Sequence, residues 1–466
     1  MFPIMLTRSR PRPASQLLRV LLPALGLEAA FLALARLGPL DLYVIEAIAI
    51  ALGAGVVYVT ALYLLEHSSD SRRAFWLILL ASVAFRLTLA PLRPTLSDDI
   101  FRYRFDGHVQ ALGYNPYLVR PEQARFAVLA VHSIRSIPGQ GIRTVYPPLS
   151  ELVFRAAWRL FPGPAAFKIP FLLADLLVLG ALAWCARQGR IRNYQLALYG
   201  WNPLVVVEFA ASGHNDALAL AATVGAIVLI IGPRRVVSTL LLAAGILAKA
   251  FPAVLIPLWA VRLGWPRRGW ASVLAGCGLA AACLWPYRSA VGALATTFRQ
   301  YQTGFQDNNA SLYPVLQHIT HSNLLPLGLG IGVVAGLALW AAARRLDPAR
   351  AALLVFGAIL LFSPNAYPWY FTWVVPMMAL VGESRYLAPW LLLTILQFLS
   401  YEVLIGYQAL GVWHFEPLYL WLTYGPFYAW LLWNAFTASP PSARPAGTRI
   451  PVSAVPPAPA GAPEQG

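Results

Sequence analysis

The chain has few charged residues: only 12% of its 466 residues are Asp, Glu, Lys or Arg, while 59% are hydrophobic. Because soluble globular proteins carry about 25% charged residues, this composition excludes an ordinary soluble domain. It predicts an all-α polytopic membrane protein. The net charge of +16 does not indicate a nucleic-acid partner, since the arginines stand in short clusters between apolar runs, as membrane topology requires.

Signals for several chemistries are also absent. The three cysteines, Cys185, Cys277 and Cys283, show no metal or disulfide spacing and are interpreted as packing residues. The sequence contains no phosphate-binding loop, no dinucleotide fingerprint and no H-E-x-x-H zinc motif. No cofactor or metal is predicted, although Asp98 and Asp99 could hold a divalent cation weakly. Without room for a nucleotide domain, a transferase of this composition would use a lipid-borne donor.

What the chain does contain is a series of apolar runs, and about 20 residues suffice to cross a bilayer. These runs predict a bundle of about 11–13 transmembrane helices within one domain, 1–436. They lie at roughly 16–38, 41–65, 73–92, 166–186, 193–211, 213–232, 236–262, 269–287, 323–343, 350–364, 366–382, 386–408 and 415–436. The tail 437–466, rich in Pro, Ala, Gly and Ser, is predicted to be disordered in the cytoplasm.

Arginine placement predicts the topology. The arginines before residue 20 place the N-terminus in the cytoplasm, so the polar segment 93–165 becomes a large first external loop carrying surface helices. The run 236–262 contains Lys249 and Pro252, and is predicted to be a re-entrant hairpin of two half-length helices. Both termini are then cytoplasmic, and the polar motifs share the non-cytoplasmic side.

The densest polar stretch is S-D-D-I-F-R-Y-R-F-D-G-H at 97–108. A cluster of ionisable residues at a membrane edge is costly, which points to function. Ser97 is a candidate N-cap, and helical spacing places Asp98, Arg102 and Asp106 on one face. A carboxylate here could act as general base on an incoming hydroxyl. The alternative is a solvated surface helix whose charges merely pair.

Two further motifs, W-N-P at 201–203 and S-G-H-N-D at 212–216, fall between apolar runs. His214, Asn215 and Asp216 open the next helix, and a helix N-terminus suits an anionic or hydroxyl-rich ligand. The alternative is an ordinary helix cap.

A lysine and an aromatic cluster complete the set of candidates. Lys249, at the bend of the predicted hairpin, needs an anionic partner, either a phosphate or Asp175 in L-L-A-D-L-L. The segment 364–373 includes Trp369 and Tyr370, which suit stacking on a sugar or a prenyl chain. An interfacial aromatic belt is the alternative.

Together these motifs resemble the GT-C superfamily of integral-membrane glycosyltransferases. The nearest patterns are the bacterial polyprenol-phosphate-mannose-dependent mannosyltransferases and, more remotely, the catalytic subunit of GPI mannosyltransferase I. The collinear segments that carry the resemblance are S-D-D-I-F-R-Y-R-F-D-G-H-V-Q-A-L-G-Y-N-P-Y at 97–117, V-Y-P-P-L-S-E-L-V-F at 145–154, A-D-L-L at 174–177, W-N-P-L-V-V-V-E at 201–208, G-H-N-D-A-L at 213–218, A-K-A-F-P at 248–252 and Y-P-W-Y-F-T-W at 367–373.

The resemblance implies a GT-C-like bundle and an inverting transfer of a hexose, expected to be mannose, from a polyprenyl-phosphate sugar. The acceptor would be a lipid-linked molecule or a glycan at the external face of a bacterial-type inner membrane. The catalytic base would be Asp98 or Asp99, and the spacing from Asp106 favours Asp98. Candidates for the donor phosphate are Arg102, His214 and Lys249. Candidates for substrate binding are Tyr103, Asp106, His108, Tyr146, Trp201, Asn202, Asn215, Asp216, Trp369 and Tyr370.

The chain departs from this pattern at one place. An Asn-His pair is expected shortly before the Y-P-P turn of the bacterial relatives. Here S-I-P-G-Q-G-I-R-T stands at 136–144, and His132 lies further upstream. The acceptor is therefore left open.

Two other classes compete with a glycosyltransferase. A transporter or flippase of lipid-linked saccharides needs access from both sides and often shows internal repeats. The sequence shows no such repeat, and its polar motifs crowd one side. A membrane acyltransferase would need a buried catalytic histidine, and none of the seven histidines falls in the middle of a predicted span.

Overall fold

The computed structural model describes residues 13–123, 126, 139–264, 267–290, 292–293, 308–382 and 386–437. These residues form α-helices joined by short 3-10 and π segments. Within those ranges no strand occurs, and the one β-bridge is an isolated pairing of Asn308 with Asn365. The predicted all-α class is confirmed. The part of the predicted disordered tail that follows Thr437 lies outside the described residues. His132 also lies outside them.

The α-helices are numbered in chain order. They are α1 Pro13–Leu37, α2 Val44–Glu66, α3 Arg72–Leu89, α4 Asp99–Ala111, α5 Pro148–Leu160, α6 Ile169–Arg187, α7 Asn193–Gly200, α8 Pro203–Val206, α9 Asp216–Ile230, α10 Arg235–Ala248, α11 Ile256–Leu263, α12 Arg267–Leu284, α13 Leu312–Thr320, α14 Leu324–Ala343, α15 Pro348–Phe362, α16 Val375–Val381, α17 Leu387–Leu396, α18 Val403–Leu410 and α19 Pro417–Phe436. A π helix, Val207–Ser212, follows α8. The 3-10 segments are Pro116–Leu118, Ala166–Lys168, Phe251–Leu255, Trp285–Ala290, Pro368–Trp373 and Gln397–Glu402.

Six helical segments in the described part of the chain are long and apolar enough to cross a membrane, which confirms a polytopic membrane protein. They are Leu17–Leu37, Val44–Glu66, Ala166–Arg187, Gly269–Ala290, Leu324–Ala343 and Leu387–Leu410. Six further apolar helical segments have only 10–17 residues. The long segments are thus fewer than the runs predicted from hydropathy, because polar and proline positions interrupt several of those runs.

The run 193–211 was predicted to be a single span, but it is not one continuous helix. The chain leaves α7 at Trp201, and the Asn202 side chain accepts a hydrogen bond from the backbone N–H of Val205. This cap, with Pro203 at the first helical position, starts a new helix. The apolar run is therefore divided by its own W-N-P motif.

The chain also reverses direction at Lys249. That residue is extended, with φ −156° and ψ 139°, and separates α10 from the segment leading into α11. Arg235 Nη1 donates to Leu263 O over 3.3 Å, and Trp259 Nε1 donates to Ser238 Oγ over 3.2 Å. These bonds bring the end of α11 back beside the start of α10. That the hairpin dips into a membrane and returns stays a prediction.

A buried ion pair and a tyrosine hydroxyl link the three helices α3, α6 and α7. Arg86 on α3 donates to both carboxylate oxygens of Asp175 on α6, over 2.5 and 3.0 Å. The Tyr199 hydroxyl on α7 donates to the same carboxylate over 2.6 Å. The prediction that Asp175 could pair with Lys249 is therefore wrong, because Arg86 already occupies it.

The helix that carries the densest polar stretch, α4, lies tightly against α5. Gly107 makes this possible: a Cβ atom there would lie 2.4 Å from the backbone O of Phe154. Any larger residue would push the helices apart. This close packing positions the N-terminus of α4 against the rest of the bundle.

Candidate active site

The two candidate base residues lie where α4 begins. Asp98 is at the N-cap position and Asp99 is the first helical residue. Ser97, predicted as the N-cap, stands one residue earlier, and its Oγ accepts a hydrogen bond from the backbone N–H of Asp99 over 3.3 Å. The positive end of the helix dipole favours both carboxylates. Burial, together with the neighbouring charge of Asp99, raises the pKa of Asp98 to about 6.

Asp99 is engaged by groups from two other parts of the chain. The Tyr103 hydroxyl lies 3.3 Å from Asp99 Oδ2 and 3.2 Å from Asn215 Oδ1. Asp99 Oδ2 also lies 3.7 Å from His214 Nδ1. The loop between the π helix and α9 is thereby drawn to the start of α4.

A glutamate that the sequence analysis did not select lies behind His214. Glu208 Oε2 is 3.3 Å from His214 Nε2, and Glu208 Oε1 accepts a hydrogen bond from the Tyr401 hydroxyl. Glu208 belongs to the π helix, a rare conformation that is common at functional sites. The signal that could have found it is an acidic residue ending the apolar run V-V-V-E at 205–208.

Lys249 contacts the same loop at Asp216. Its Nζ donates to Asp216 Oδ2 over 2.5 Å, while Trp373 Nε1 donates to Asp216 Oδ1 over 2.7 Å. The ammonium group also lies 4.6 Å from the centroid of the Tyr370 ring. The Lys249 side chain is 16% exposed, so the cation remains accessible beside its partners.

Four residues form an aromatic wall next to these charges: Tyr367, Trp369, Tyr370 and Trp373. The Trp369 ring stacks on His214, with centroids 4.0 Å apart, and on Tyr367, with centroids 4.6 Å apart. Tyr370 stacks on Trp373 over 4.7 Å. The aromatic faces predicted to suit a sugar or a prenyl chain thus lie against both the histidine and the lysine.

The structure therefore joins most of the predicted site residues in one cluster. Tyr146 adds to it, since its ring packs edge-on against Tyr103 with centroids 5.0 Å apart. The predicted residues linked in this way are Asp99, Tyr103, Tyr146, His214, Asn215, Asp216, Lys249, Trp369 and Tyr370. Asp98 directly precedes Asp99 at the start of α4 and is influenced by its charge. Among the described residues, no group of three or more His, Cys, Asp or Glu side chains is arranged to hold a metal ion.

Three predicted residues on α4 have other contacts. Arg102 pairs with Asp106 over 3.1 Å, and its Nη1 donates to Gly139 O over 3.0 Å. Arg102 thereby links the segment at Gly139 and Ile142 to α4. His108 stacks on Trp158 of α5, with centroids 4.1 Å apart. Arg102 and Asp106 thus pair with each other, as in the alternative of a solvated helix, but both residues are buried.

The W-N-P motif lies in the core. Trp201 Nε1 donates to Ile78 O over 3.0 Å, and Asn202 Nδ2 donates to Thr394 Oγ1 over 3.2 Å. Both residues are buried. His214, which lies between two helices and not in the middle of a predicted span, is only 1% exposed.

Comparison with known proteins identifies relatives. The family model described as alpha-(1->6)-mannopyranosyltransferase, N-terminal domain, matches residues 26–264, and the model described as MptB C-terminal domain matches residues 289–404. The crystal structure of ArnT from Cupriavidus metallidurans in the apo state is similar over 77% of this chain and 76% of that chain, at 16% identity and a TM-score of 0.42. That score is too low to carry a structural argument. No curated protein matches significantly.

Proposed function

The chain belongs to the alpha-(1->6)-mannopyranosyltransferase family, and from this premise we propose that it transfers mannose from a polyprenyl-phosphate donor to an acceptor hydroxyl, with inversion. Family membership makes the protein a membrane glycosyltransferase, as the motifs predicted, rather than a transporter or an acyltransferase. The acceptor class that we propose is a lipid-linked molecule or a glycan.

One observation carries the proposal. Asp99 and the partly exposed cation of Lys249 both contact one loop, 213–216, with the aromatic wall beside it. Asp99 reaches the loop through His214, and Lys249 reaches it through Asp216. A glycosyl phosphate needs these groups: a base for the acceptor, a cation for the phosphate and a flat surface for the sugar.

Asp98 is the proposed base. Its raised pKa, about 6, leaves the carboxylate ionised at neutral pH and more basic than an ordinary aspartate, which suits general-base catalysis. Asp99, which lies beside Tyr103 and His214, is the second candidate. Asp98 accepts the proton of the acceptor hydroxyl while the hydroxyl oxygen bonds to the anomeric carbon of mannose.

The bond from the anomeric carbon to the phosphate oxygen breaks in the same step, and the polyprenyl phosphate leaves with the electron pair. Lys249 is the proposed partner of this phosphate, because it is a partly exposed cation next to the Tyr370 ring. A charged donor placed where negative charge develops stabilises the transition state. Trp369 and Tyr370 are proposed to hold the sugar.

We propose that the site faces the external side. Arg192 Nε donates to Asp70 Oδ2 over 3.0 Å, so two arginine-bearing turns share one end of the bundle. From that end α3 runs for 18 residues, roughly 27 Å, towards Asp98. The positive-inside rule makes the arginine end cytoplasmic. Both termini are proposed to lie on the cytoplasmic side.

A donor comparison tests the function. An α-linked product formed with inversion requires the β-anomer of the donor. We expect the purified protein in liposomes to transfer radiolabelled mannose from β-mannosyl-phosphoryl-polyprenol to a mannooligosaccharide or mannolipid acceptor. The α-anomer and GDP-mannose should yield no product. Transfer from the α-anomer would contradict inversion, and absence of transfer from every lipid donor would contradict the proposed function.

A further inference from the structure

The contacts behind the active-site loop single out Glu208. Its side chain is 0% exposed, and each carboxylate oxygen has a neighbour: the Tyr401 hydroxyl donates to one and His214 Nε2 lies 3.3 Å from the other. A buried carboxylate is costly unless it is paired. The two neighbours therefore indicate that Glu208 has a defined task towards His214.

His214 has three close neighbours. A carboxylate faces each ring nitrogen, Asp99 at Nδ1 and Glu208 at Nε2, and the Trp369 ring covers one face. Both nitrogens can be donors only in the doubly protonated imidazolium, and two nearby carboxylates favour that form. A carboxylate oxygen therefore lies within 4 Å of each ring nitrogen of His214.

We propose that Glu208 is a positioning residue that holds His214 as a cation beside Asp99, and so keeps Asp98 available to deprotonate the acceptor. The proposal rests on the function proposed above. Two adjacent carboxylates oppose each other's ionisation, and an imidazolium on Asp99 offsets this repulsion. Glu208 thus acts through His214 and does not touch the substrate.

The other charged and titratable groups around His214 are already partnered. Lys168 directly precedes α6. Its Nζ donates to the backbone carbonyl oxygens of Leu92, Ala210 and Ala211. Lys249 pairs with Asp216. The Tyr103 hydroxyl lies between Asp99 and Asn215. A change at Glu208 leaves these partners in place, so its effect reports on His214 and the Asp98–Asp99 pair.

The Glu208→Gln variant keeps the shape of the side chain and removes its charge. His214 then loses one carboxylate and becomes neutral more readily, so Asp99 repels an ionised Asp98 more strongly. The acid limb of the pH–rate profile for mannose transfer should move upward by roughly one pH unit. Tyr401→Phe, which removes the hydrogen bond to Glu208, should move the limb in the same direction by less.

Glu402→Gln is the matched control. Glu402 is a buried glutamate next in the chain to Tyr401, and it accepts a hydrogen bond from the backbone N–H of Glu416 over 2.9 Å. Its substitution by Gln removes the same carboxylate charge at a position away from His214. The acid limb should stay at the wild-type position.

A second readout needs no turnover. Carbodiimide labels protonated carboxyl groups, and tandem mass spectrometry of the purified protein separates Asp98 from Asp99. The pH midpoint of Asp98 labelling should move upward in Glu208→Gln. An unchanged midpoint overturns the proposal, whatever rate the variant has lost. If the wild type transfers no mannose from a lipid donor, the proposed function fails, while the labelling midpoint still decides the role of Glu208.

Discussion

At the scale of single residues, the ionised carboxylate of Asp98, the proposed base, lowers the stability of the fold. The pKa of Asp98 is raised from its ordinary value of 3.8 to about 6 by burial and by the charge of Asp99. The folded protein therefore holds this proton more tightly than the unfolded chain does. As the pH rises from about 4 to 6, the charged carboxylate makes the fold progressively less stable, and the full cost persists at neutral pH.

The Asp98→Asn variant should consequently be more stable than the wild type. Removing the charge relieves up to about 3 kcal/mol at pH 7.5, and this gain should shrink as the pH approaches 4. Thermal unfolding of the solubilised protein across this pH range measures both effects. Asp347→Asn is the control, since Asp347 caps α15 by accepting from two backbone N–H groups and Asn caps comparably. A lower midpoint for Asp98→Asn would refute the argument.

Some residue roles could be predicted from local spacing and others could not. Helical periodicity placed Arg102 four residues before Asp106, and the two do pair. Glu208 escaped selection because its partner Tyr401 lies 193 residues away in the chain. Only the folded structure brings them together, and a single acidic residue in an apolar run does not reveal its partner.

At the scale of secondary-structure elements, the site is built from helix ends and interruptions. Asp98 lies at the start of α4, Lys249 lies at the end of α10, and the loop 213–216 lies between a π helix and α9. Prolines and polar residues signalled these breaks in the sequence, including the reversal after α10. The division of 193–211 was missed, because hydropathy reports burial and does not register a cap within an apolar run.

Gly213 is the residue that lets the loop 213–216 turn. Its φ of +75° is a left-handed conformation, and a Cβ atom there would lie 2.5 Å from Lys168 Cγ. Gly213→Ala should displace Lys168 and with it the three carbonyls that this lysine holds. We expect a lower thermal midpoint together with a loss of at least tenfold in the transfer rate.

The Gly189→Ala variant distinguishes the effect of backbone strain from the effect of displacing Lys168. Gly189 also has a positive φ, +68°, but no atom lies within 4 Å of its Cβ position. Its substitution should cost about 1–2 kcal/mol of stability through strain alone and leave the transfer rate unchanged. Equal losses of activity in the two alanine variants would show that contact with Lys168 is irrelevant.

At the scale of the whole molecule, composition and arginine clusters predicted a helical membrane protein, and the order of short motifs predicted its family. Both predictions are confirmed. Long-range pairing was not predictable to the same degree. The sequence predicted Lys249 as a possible partner of Asp175, whereas its actual partner, Arg86, was not selected and became evident only in the folded structure. The fold assigned one cation to the core and the other to the candidate active site.

The central claim is that Asp98 deprotonates the acceptor in a transfer from a polyprenyl-phosphate donor. The most direct measurement is the rate of transfer from β-mannosyl-phosphoryl-polyprenol in liposomes by the wild type, Asp98→Asn and Asp99→Asn, with Asp347→Asn as the control. We predict that Asp98→Asn lowers kcat by about 10²–10⁴ with little change in KM, that Asp99→Asn has a smaller effect, and that the control keeps the wild-type rate. Full activity in both Asp98→Asn and Asp99→Asn would contradict the account.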